Sequence, residues 1–240
     1  MAEMKIVIIG AGRAGSSFAT ALSTSHDVTL VHHNDVPHCE GVDLVLLCVP
    51  DDAIELVSNA LEVPASTVVA HVAGSRGLEV LRRHSRVGSL HPLLTMPNAR
   101  VGAERLRGGV YCVNGDEVLN EVVTSLEGRR IEVTQDRRAL YHATAASAAN
   151  HLVALMAQVQ SLAQSAQLEL RDFLPLAHQA LEDVANLGPR GALTGPAARG
   201  DAATLEAHLR ALPDDERATY GALAHRAQRL AHAEESTWSI

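Results

Sequence analysis

A glycine-rich segment near the start of the chain has the residue types and spacing that bind phosphate groups. Residues Gly10-Ala11-Gly12-Arg13-Ala14-Gly15 fit the pattern G-x-G-x-x-G, after an apolar run and before a stretch of helical periodicity. The three glycines would allow a tight turn, close approach of the backbone to a pyrophosphate, and close helix–strand packing. Free N–H groups at the start of the helix would bind the phosphates, so the sequence predicts a dinucleotide-binding loop.

The choice between NAD and NADP depends on a residue about 20 positions further on, at the end of the second strand. Val31 is followed there by His32 and His33, with neither an acidic residue nor an arginine at the strand end. The usual acceptor for the ribose 2′-hydroxyl is therefore missing or displaced to Asp35. Because a missing acid removes a repulsion against a 2′-phosphate, to which histidine can donate, the sequence favours NADP, with NAD as the alternative.

The elements around this loop predict an α/β fold. Strand-like runs are expected at residues 6–9, 28–31, 43–49, 67–71, 86–90, 110–113 and 130–133. Helices alternate with them at residues 13–22, 51–61, 78–84 and 117–126, as in a doubly wound parallel sheet. After residue 135 the pattern is helical throughout, apart from a Gly/Pro-rich loop at 188–200. We therefore expect a Rossmann domain over residues 1–134 and an all-helical domain over residues 135–240.

Further candidate site residues come from the carboxyl ends of the predicted strands, beyond which open α/β sheets bind ligands. Val49 and Pro50 end the third strand, and Gly74 follows the fourth, so these residues are expected to contact the cofactor. His91 ends the fifth strand, where it could exchange a proton with a substrate hydroxyl because its pKa is near neutral. The alternative is a histidine that only caps or fills the core.

Composition excludes several classes of partner. The formal net charge is -8 and aromatic residues make up 2% of the chain, which argues against nucleic acid. Only His32, His33 and His38 cluster closely, and they lack a matching set of cysteines or carboxylates at zinc-ligand spacing, so no metal site is expected. Three scattered cysteines, no signal-like segment and no membrane-length apolar run favour a cytoplasmic protein.

Several segments resemble a family of Rossmann-like proteins whose C-terminal half is known as domain of unknown function 2520. The N-terminal half is also similar to ketopantoate reductase, pyrroline-5-carboxylate reductase and prephenate dehydrogenase. The matching segments are Ile8 to Gly15, Cys48-Val49-Pro50-Asp51-Asp52-Ala53-Ile54, Leu90-His91-Pro92-Leu93, Leu140-Tyr141-His142-Ala143, Ala149-Asn150-His151-Leu152-Val153, and Ala192-Leu193-Thr194-Gly195-Pro196-Ala197-Ala198-Arg199-Gly200-Asp201. The resemblance implies an NADP-type oxidoreductase that forms a homodimer through its helical domain.

The resemblance also implies roles for individual residues. The His91-Pro92 pair looks like that of prephenate dehydrogenases, in which the histidine binds the reacting hydroxyl. Asn150 occupies the place of the asparagine in the Lys-x-x-x-Asn pattern of ketopantoate reductase and the hydroxyacid dehydrogenases. Ala146 replaces the lysine of that pattern, which puts the usual ketone-reducing mechanism in doubt.

Two main functions remain open at this point, and a flavin- or deazaflavin-dependent reductase is a third, more distant one. In the first, the chain transfers a hydride between NAD(P) and a small carbonyl, imine or alcohol that carries a carboxylate. His91 and Asn150 would then be catalytic, and Arg199, in the loop at 188–200, would bind the carboxylate. In the second, the chain is a non-catalytic NAD(P)-binding sensor or assembly protein, as the missing lysine suggests.

Overall fold

The computed structural model describes residues 3–32, 35 and 37–232. Its strands are β1 (Lys5–Ile9), β2 (Asp27–Val31), β3 (Leu44–Leu47), β4 (Val68–His71), β5 (Val87–Pro92), β6 (Val110–Gly115) and β7 (Arg129–Ile131). They form one sheet in the order β2-β1-β3-β4-β5-β6-β7. The α/β fold class and all seven expected strands are thus confirmed.

The expectation of a wholly parallel sheet is wrong for its last two strands. β1 to β5 are parallel, but β6 runs antiparallel to β5, and β7 is parallel to β6. The end of β5 pairs with the start of β6, since Pro92 lies opposite Tyr111. The connection between these strands therefore returns to the sheet edge from which it left.

This connection contains a helix that the sequence interpretation did not predict. The helices of the sheet region are α1 (Arg13–Leu22), α2 (Ile54–Ala60), α3 (Ala99–Leu106) and α4 (Val118–Ser125), with a 3₁₀ turn at Leu78–Leu81. The unpredicted one, α3, begins after Asn98, whose side chain accepts a hydrogen bond from the N–H of Val101 at 3.0 Å. It packs on α1 at Gly102, where a Cβ would overlap the Ser17 hydroxyl, so the connection lies on that face of the sheet.

Apolar residues cover both faces of the sheet. One cluster includes Ile8 and Leu46 from the strands and Phe18 from α1. A second, on the opposite face, includes Ile9, Leu47 and other buried residues. β3 is buried at every position, as expected for a strand covered on both faces. Burial of each such side chain contributes about 1.5–3 kcal/mol, which fixes the strand ends that carry the candidate site.

The chain divides into two compact units, residues Met1–Ala149 and Asn150–Ile240. The first unit also contains a 3₁₀ turn at Gln135–Arg137 and helix α5 (Arg138–Ala146). The domain boundary at residues 134 and 135 stays a prediction about where the dinucleotide-binding domain ends. The strands do end before it, at Ile131.

The second unit is helical over its described residues. A π-helical segment at Ser147–His151 precedes α6 (Leu152–Ser165), within the stretch whose sequence pattern is helical. The following helices are α7 (Leu170–Ala192), α8 (Gly195–Arg199), α9 (Ala202–Ala211) and α10 (Arg217–His232). The prediction of a loop over residues 188–200 is wrong for most of its length: Gly188, at φ 71°, is non-helical and divides α7 into two helical pieces, the second of which continues to Ala192, and α8 follows. Among the described residues, no helix combines the length and apolar character that crossing a membrane requires.

Candidate functional site

The glycine loop connects β1 to α1 as the motif requires. Gly10 has φ +108°, and a Cβ there would lie 2.5 Å from the carbonyl oxygen of Cys48 in the segment after β3. A Cβ on Gly15 would overlap the carbonyl oxygen of Gly10. Both positions therefore require glycine for the turn and for helix–strand packing, whether or not a ligand is bound.

Gly12 differs from these two glycines because the protein's own packing does not require it. Its φ is -73°, which any residue adopts, and a Cβ there would meet no atom within 4 Å. It also begins α1, and no described side chain caps that helix end. An open backbone at an uncapped helix N-terminus fits a pyrophosphate, with Ala11, Arg13 and Ala14 beside it. The cofactor role of this loop stays a prediction.

The end of β2, where the cofactor's ribose is expected, presents one described histidine. His32 is exposed, and its backbone N–H donates to a carboxylate oxygen of Asp35 at 3.2 Å. His33, the second residue predicted to contact the cofactor here, lies outside the described residues. No acidic side chain thus follows Val31 directly, and the displaced Asp35 carboxylate is held by the backbone of the same turn.

The carboxyl ends of β3 and β4 are joined by a side-chain contact. The hydroxyl of Ser75 donates to the carboxylate of Asp51. Val49 is half-buried and Pro50 is exposed beside this contact, and a side-chain carbon of Val49 lies 3.2 Å from the Cβ position of Gly10. Since β1, β3 and β4 are parallel, the glycine loop and this pair share one edge of the sheet.

His91 lies near the end of β5 and forms a pair with a tyrosine of α5. Its Nδ1 is 2.6 Å from the hydroxyl oxygen of Tyr141, and the two rings meet edge to face at a centroid distance of 5.5 Å. His142, the next residue on α5, lies 6.0 Å from His91 between ring centroids. One turn of α5 therefore supplies two side chains to the same histidine.

Gly74 leaves the space that these rings occupy. A Cβ on Gly74 would lie 2.7 Å from Nε2 of His91 and 2.7 Å from Nδ1 of His142. That nitrogen of His142 is buried and has no hydrogen-bond partner among the described residues. Gly74, predicted from its position after β4, therefore lies directly against the histidine predicted from the end of β5.

A buried polar layer lies beneath this cluster. Ser89 and His91 are two residues apart on β5, so both side chains point to the same face of the sheet. Arg138, the first residue of α5, donates from Nη2 to Ser89 Oγ at 3.1 Å and to Asn114 Oδ1 at 2.8 Å. Arg138 is only 3% exposed, so its charge is held inside the fold next to the His91 pair.

The surroundings keep both members of the pair neutral. Burial, the neighbouring ring of His142 and the cation of Arg138 lower the pKa of His91 to about 4. Burial raises the pKa of the Tyr141 hydroxyl above its ordinary value. At neutral pH the two side chains thus carry two protons, of which one lies in the hydrogen bond between them. The other is on Nε2 of His91 or on the Tyr141 hydroxyl, according to the tautomer, and is available to a third group.

Two predicted residues belong to the second unit. Asn150 is exposed in the π-helical segment at Ser147–His151. Arg199 is exposed as the last residue of α8, which ends at Gly200 in the left-handed conformation. The catalytic role of Asn150 and the substrate-binding role of Arg199 stay predictions.

The sequence interpretation did not assign site roles to Tyr141, His142 or Arg138. Their positions, three and four apart, place them on one face of a helix. Alternating polar residues on β5 and β6 also mark a buried polar face under that helix. These signals identify which faces are polar, but only the register of Ser89 opposite Asn114 shows that one arginine contacts both strands.

Comparison with known families and structures supports the sequence resemblance. Residues 111–227 match the family described as "Domain of unknown function (DUF2520)", which confirms the resemblance to this family. A comparison with the curated proteins finds no match.

Solved structures share the fold over most of the chain. A Bacteroides fragilis protein provisionally assigned as an NADP oxidoreductase is 22% identical, covers 95% of this chain and 98% of its own, and has a TM-score of 0.79. A reductive aminase from Aspergillus terreus, in complex with NADPH and ethyl-5-oxohexanoate, is 17% identical over 95% and 94% of the two chains, with a TM-score of 0.69. Pyrroline carboxylate reductase from Plasmodium falciparum, with NADP bound, is 12% identical over 96% and 99%, with a TM-score of 0.62. At these identities the likeness defines the fold alone, a Rossmann-like α/β sheet followed by helices.

Proposed function

We propose that this chain is an NADP-dependent oxidoreductase that acts on a carbonyl, imine or alcohol group of a small molecule carrying a carboxylate. One observation supports the proposal above the others. The neutral His91–Tyr141 pair, which holds a transferable proton, lies at the sheet edge that also carries the glycine loop. The loop that would bind the dinucleotide and the pair that would exchange a proton therefore lie at the same edge of the sheet, as an oxidoreductase requires.

The cofactor would be held by the residues along this edge. The N–H groups from Gly12 to Gly15 would bind its pyrophosphate. Val49 and Pro50 would lie along its adenosine and nicotinamide-ribose side, and Gly74 would lie nearer the nicotinamide. Two similar structures, the reductive aminase and the pyrroline carboxylate reductase, are solved with NADPH or NADP. When bound, the cofactor supplies or accepts the hydride, so the protein has to provide only position and a proton.

NADP is preferred over NAD because of the end of β2. The exposed His32 can donate to a 2′-phosphate, whereas a carboxylate directly after Val31 would repel it. Asp35 already accepts the N–H of His32 and lies four residues beyond the strand. Both features favour the cofactor that carries the extra phosphate.

The His91–Tyr141 pair would provide the proton for carbonyl or imine reduction. The proton of the pair that lies outside its internal hydrogen bond would be donated to the carbonyl oxygen or imine nitrogen, and the carbon would receive the hydride. In alcohol oxidation the proton and the hydride would be transferred in the opposite direction. Since Ala146 replaces the lysine of the hydroxyacid dehydrogenase pattern, this pair takes over the task of proton donor. Asn150 and Arg199 remain candidates for orienting the substrate and binding its carboxylate.

Turnover of a substrate panel tests this proposal. Purified protein would be mixed with NADPH and a set of 2-oxo acids and cyclic imines that carry a carboxylate, and the loss of reduced nicotinamide would be followed by absorbance. We expect oxidation with at least one member and its loss in the His91→Ala variant. Tight NADPH binding without turnover across both compound classes would instead favour a non-catalytic sensor, the function that the missing lysine supports.

A homodimer is the proposed state of the chain. α7 carries exposed apolar residues on one face, with Leu176 65%, Val184 40% and Leu187 60% exposed. Their spacing of eight and three residues places them along one stripe of the helix. Water contact with such a stripe is unfavourable, and a second copy of the same face would cover it.

A further inference from the structure

The guanidinium of Arg138 is a buried charge that has no acidic partner among the residues that the structure describes. It makes only two hydrogen bonds, both through Nη2, to the neutral side chains of Ser89 and Asn114. Its Nε and Nη1 are buried without a hydrogen-bond partner among the described residues. Within the same residues no carboxylate oxygen lies within 4.0 Å of it. Burial of an uncompensated cation costs stability, so a merely structural role explains it poorly.

Geometry places this charge next to the proton-carrying pair. Ser89 lies opposite Asn114, and His91 lies opposite Cys112, two residues further along the same two strands and on the same face of the sheet. Arg138 bridges the first of these pairs, and Tyr141, three residues later on α5, reaches the second. The guanidinium therefore contacts a residue that lies two positions along β5 from His91, on the same face of the sheet.

The field of this cation has the sign that proton donation needs. When the His91–Tyr141 pair gives its outward proton to a substrate, one negative charge is left on the pair. A positive charge held at short range and out of water stabilises that anion and opposes a second proton on the imidazole. In agreement, Arg138 acts to lower the pKa of both His91 and Tyr141, although burial dominates both shifts.

We propose that Arg138 is a positioning residue of the site: it anchors α5 on β5 and β6 and supplies the positive charge that compensates the His91–Tyr141 pair after proton donation. The proposal rests on the proposed function of that pair as proton donor. Its electrostatic part can be measured without substrate or cofactor.

Other groups around His91 contribute to the same field. The titratable or charged groups that act on His91 or Tyr141 come from β4, β6, α5 and the segment after β3, and are His71, Cys112, Arg138, His142 and Asp51. The rings of His71 and His142 act in the same direction as Arg138 on His91, and Asp51 opposes them. A test must therefore change the charge at Arg138 while these groups stay in place.

The test is the NMR titration of the His91 ring in the full chain without cofactor, with the signal assigned from its absence in His91→Gln. Arg138→Gln removes the charge and keeps polar atoms beside Ser89 and Asn114. Asn114→Asp keeps the arginine but puts a carboxylate against it. We expect the pKa of His91 to rise by about half a unit or more in each variant. Arg138→Lys, which keeps the charge, should leave it near the wild-type value.

Arg86→Gln is the matched control, because Arg86 directly precedes β5 but binds Asp116 through a bidentate ion pair. It should leave the His91 titration unchanged. The proposal is overturned if Asn114→Asp folds and His91 titrates as in wild type, or if Arg138→Lys shifts the titration as much as Arg138→Gln. If Arg138→Gln does not fold, the Asn114→Asp result decides.

Measurements of kcat and of NADPH affinity distinguish a failure of this inference from a failure of the proposed function. Where turnover is found, Asn114→Asp and Arg138→Gln should lower kcat at least about tenfold and leave the affinity for NADPH unchanged. If the wild-type chain binds no NADPH, the proposed function fails, while the titration still reports on the Arg138 charge. If NADPH binds and turns over normally in Asn114→Asp, the positioning role of Arg138 fails alone.

Discussion

The hydroxyl oxygen of Tyr141 lies 2.6 Å from Nδ1 of His91, so a helix that follows the sheet supplies the partner of a histidine inside it. A second pair in the chain has the same local geometry, with Nδ1 of His208 2.6 Å from the Tyr220 hydroxyl. The second pair is an exposed contact between His208 of α9 and Tyr220 of α10. A comparison of the two pairs therefore distinguishes the effect of burial from the effect of the hydrogen bond, which both pairs form.

Tyr141→Phe should abolish most of the activity, because it removes one of the two protons of the pair. General acid catalysis is worth about 10²–10⁴ in rate, so we expect kcat to fall by about a hundredfold or more. The affinity for NADPH, measured by fluorescence titration, should not change. Tyr220→Phe is the matched control and should keep full activity; equal losses in both variants would contradict the assignment.

The stability of the protein should fall as pH decreases from about 6.5 towards 4, in part because of His91. Its pKa is about 4 in the folded state and near 6.5 when unfolded, so the unfolded chain binds the extra proton first. Between pH 7 and pH 5 this costs about 1–2 kcal/mol. Urea unfolding should show a smaller loss over this range in His91→Gln than in wild type. Identical pH slopes in the two proteins would show that His91 titrates normally.

Gly15→Ala should destabilise the fold itself. The added Cβ would overlap the backbone oxygen of Gly10, which cannot move without disturbing the turn between β1 and α1. We expect a loss of about 1–3 kcal/mol in the free energy of unfolding, measured with urea. Gly221→Ala, in α10, is the control: a Cβ there meets no atom within 4 Å, and the helix should gain stability. An unchanged Gly15→Ala protein would show that the close packing is not needed.

Replacing apolar residues on α7 by aspartate should convert the proposed dimer to a monomer. Leu176→Asp and Leu187→Asp put charges on the exposed apolar stripe, where a second copy would have to bury them. Light scattering after size-exclusion chromatography should report half the wild-type mass. Leu56→Asp on α2, where the leucine is 74% exposed, is the matched control and should leave the mass unchanged. A wild-type chain that is already monomeric would rule out the dimer.

Local sequence patterns sufficed for the strands and for the glycine loop. An apolar run as short as Leu44–Leu47 is typical of a strand covered on both faces, and G-x-G-x-x-G after a strand has few structural alternatives. The helix at Ala99–Leu106 was missed although Asn98 is a good N-cap, because its short apolar pattern competes with the loop signals of Pro97 and Asn98.

The rest of the site depends on long-range contacts. His91 could be selected from its place at a strand end, but its partner Tyr141 is 50 residues away and is brought to it by α5. The antiparallel direction of β6 places Asn114 opposite Ser89, and without that register the anchor for Arg138 cannot be recognised. Strand direction is a property of the whole sheet, and no local pattern in residues 110–115 encodes it.

Binding of NADPH to the purified chain and to its Gly12→Val variant tests the central claim most directly. A valine at this position meets no protein atom within 4 Å of its Cβ, so the variant should fold, but the side chain would occupy the approach of the pyrophosphate. We predict saturable binding to wild type, with Kd rising at least about tenfold in Gly12→Val and unchanged in Gly221→Val. No binding to wild type at millimolar NADPH, or equal affinity in a folded Gly12→Val protein, would contradict the account.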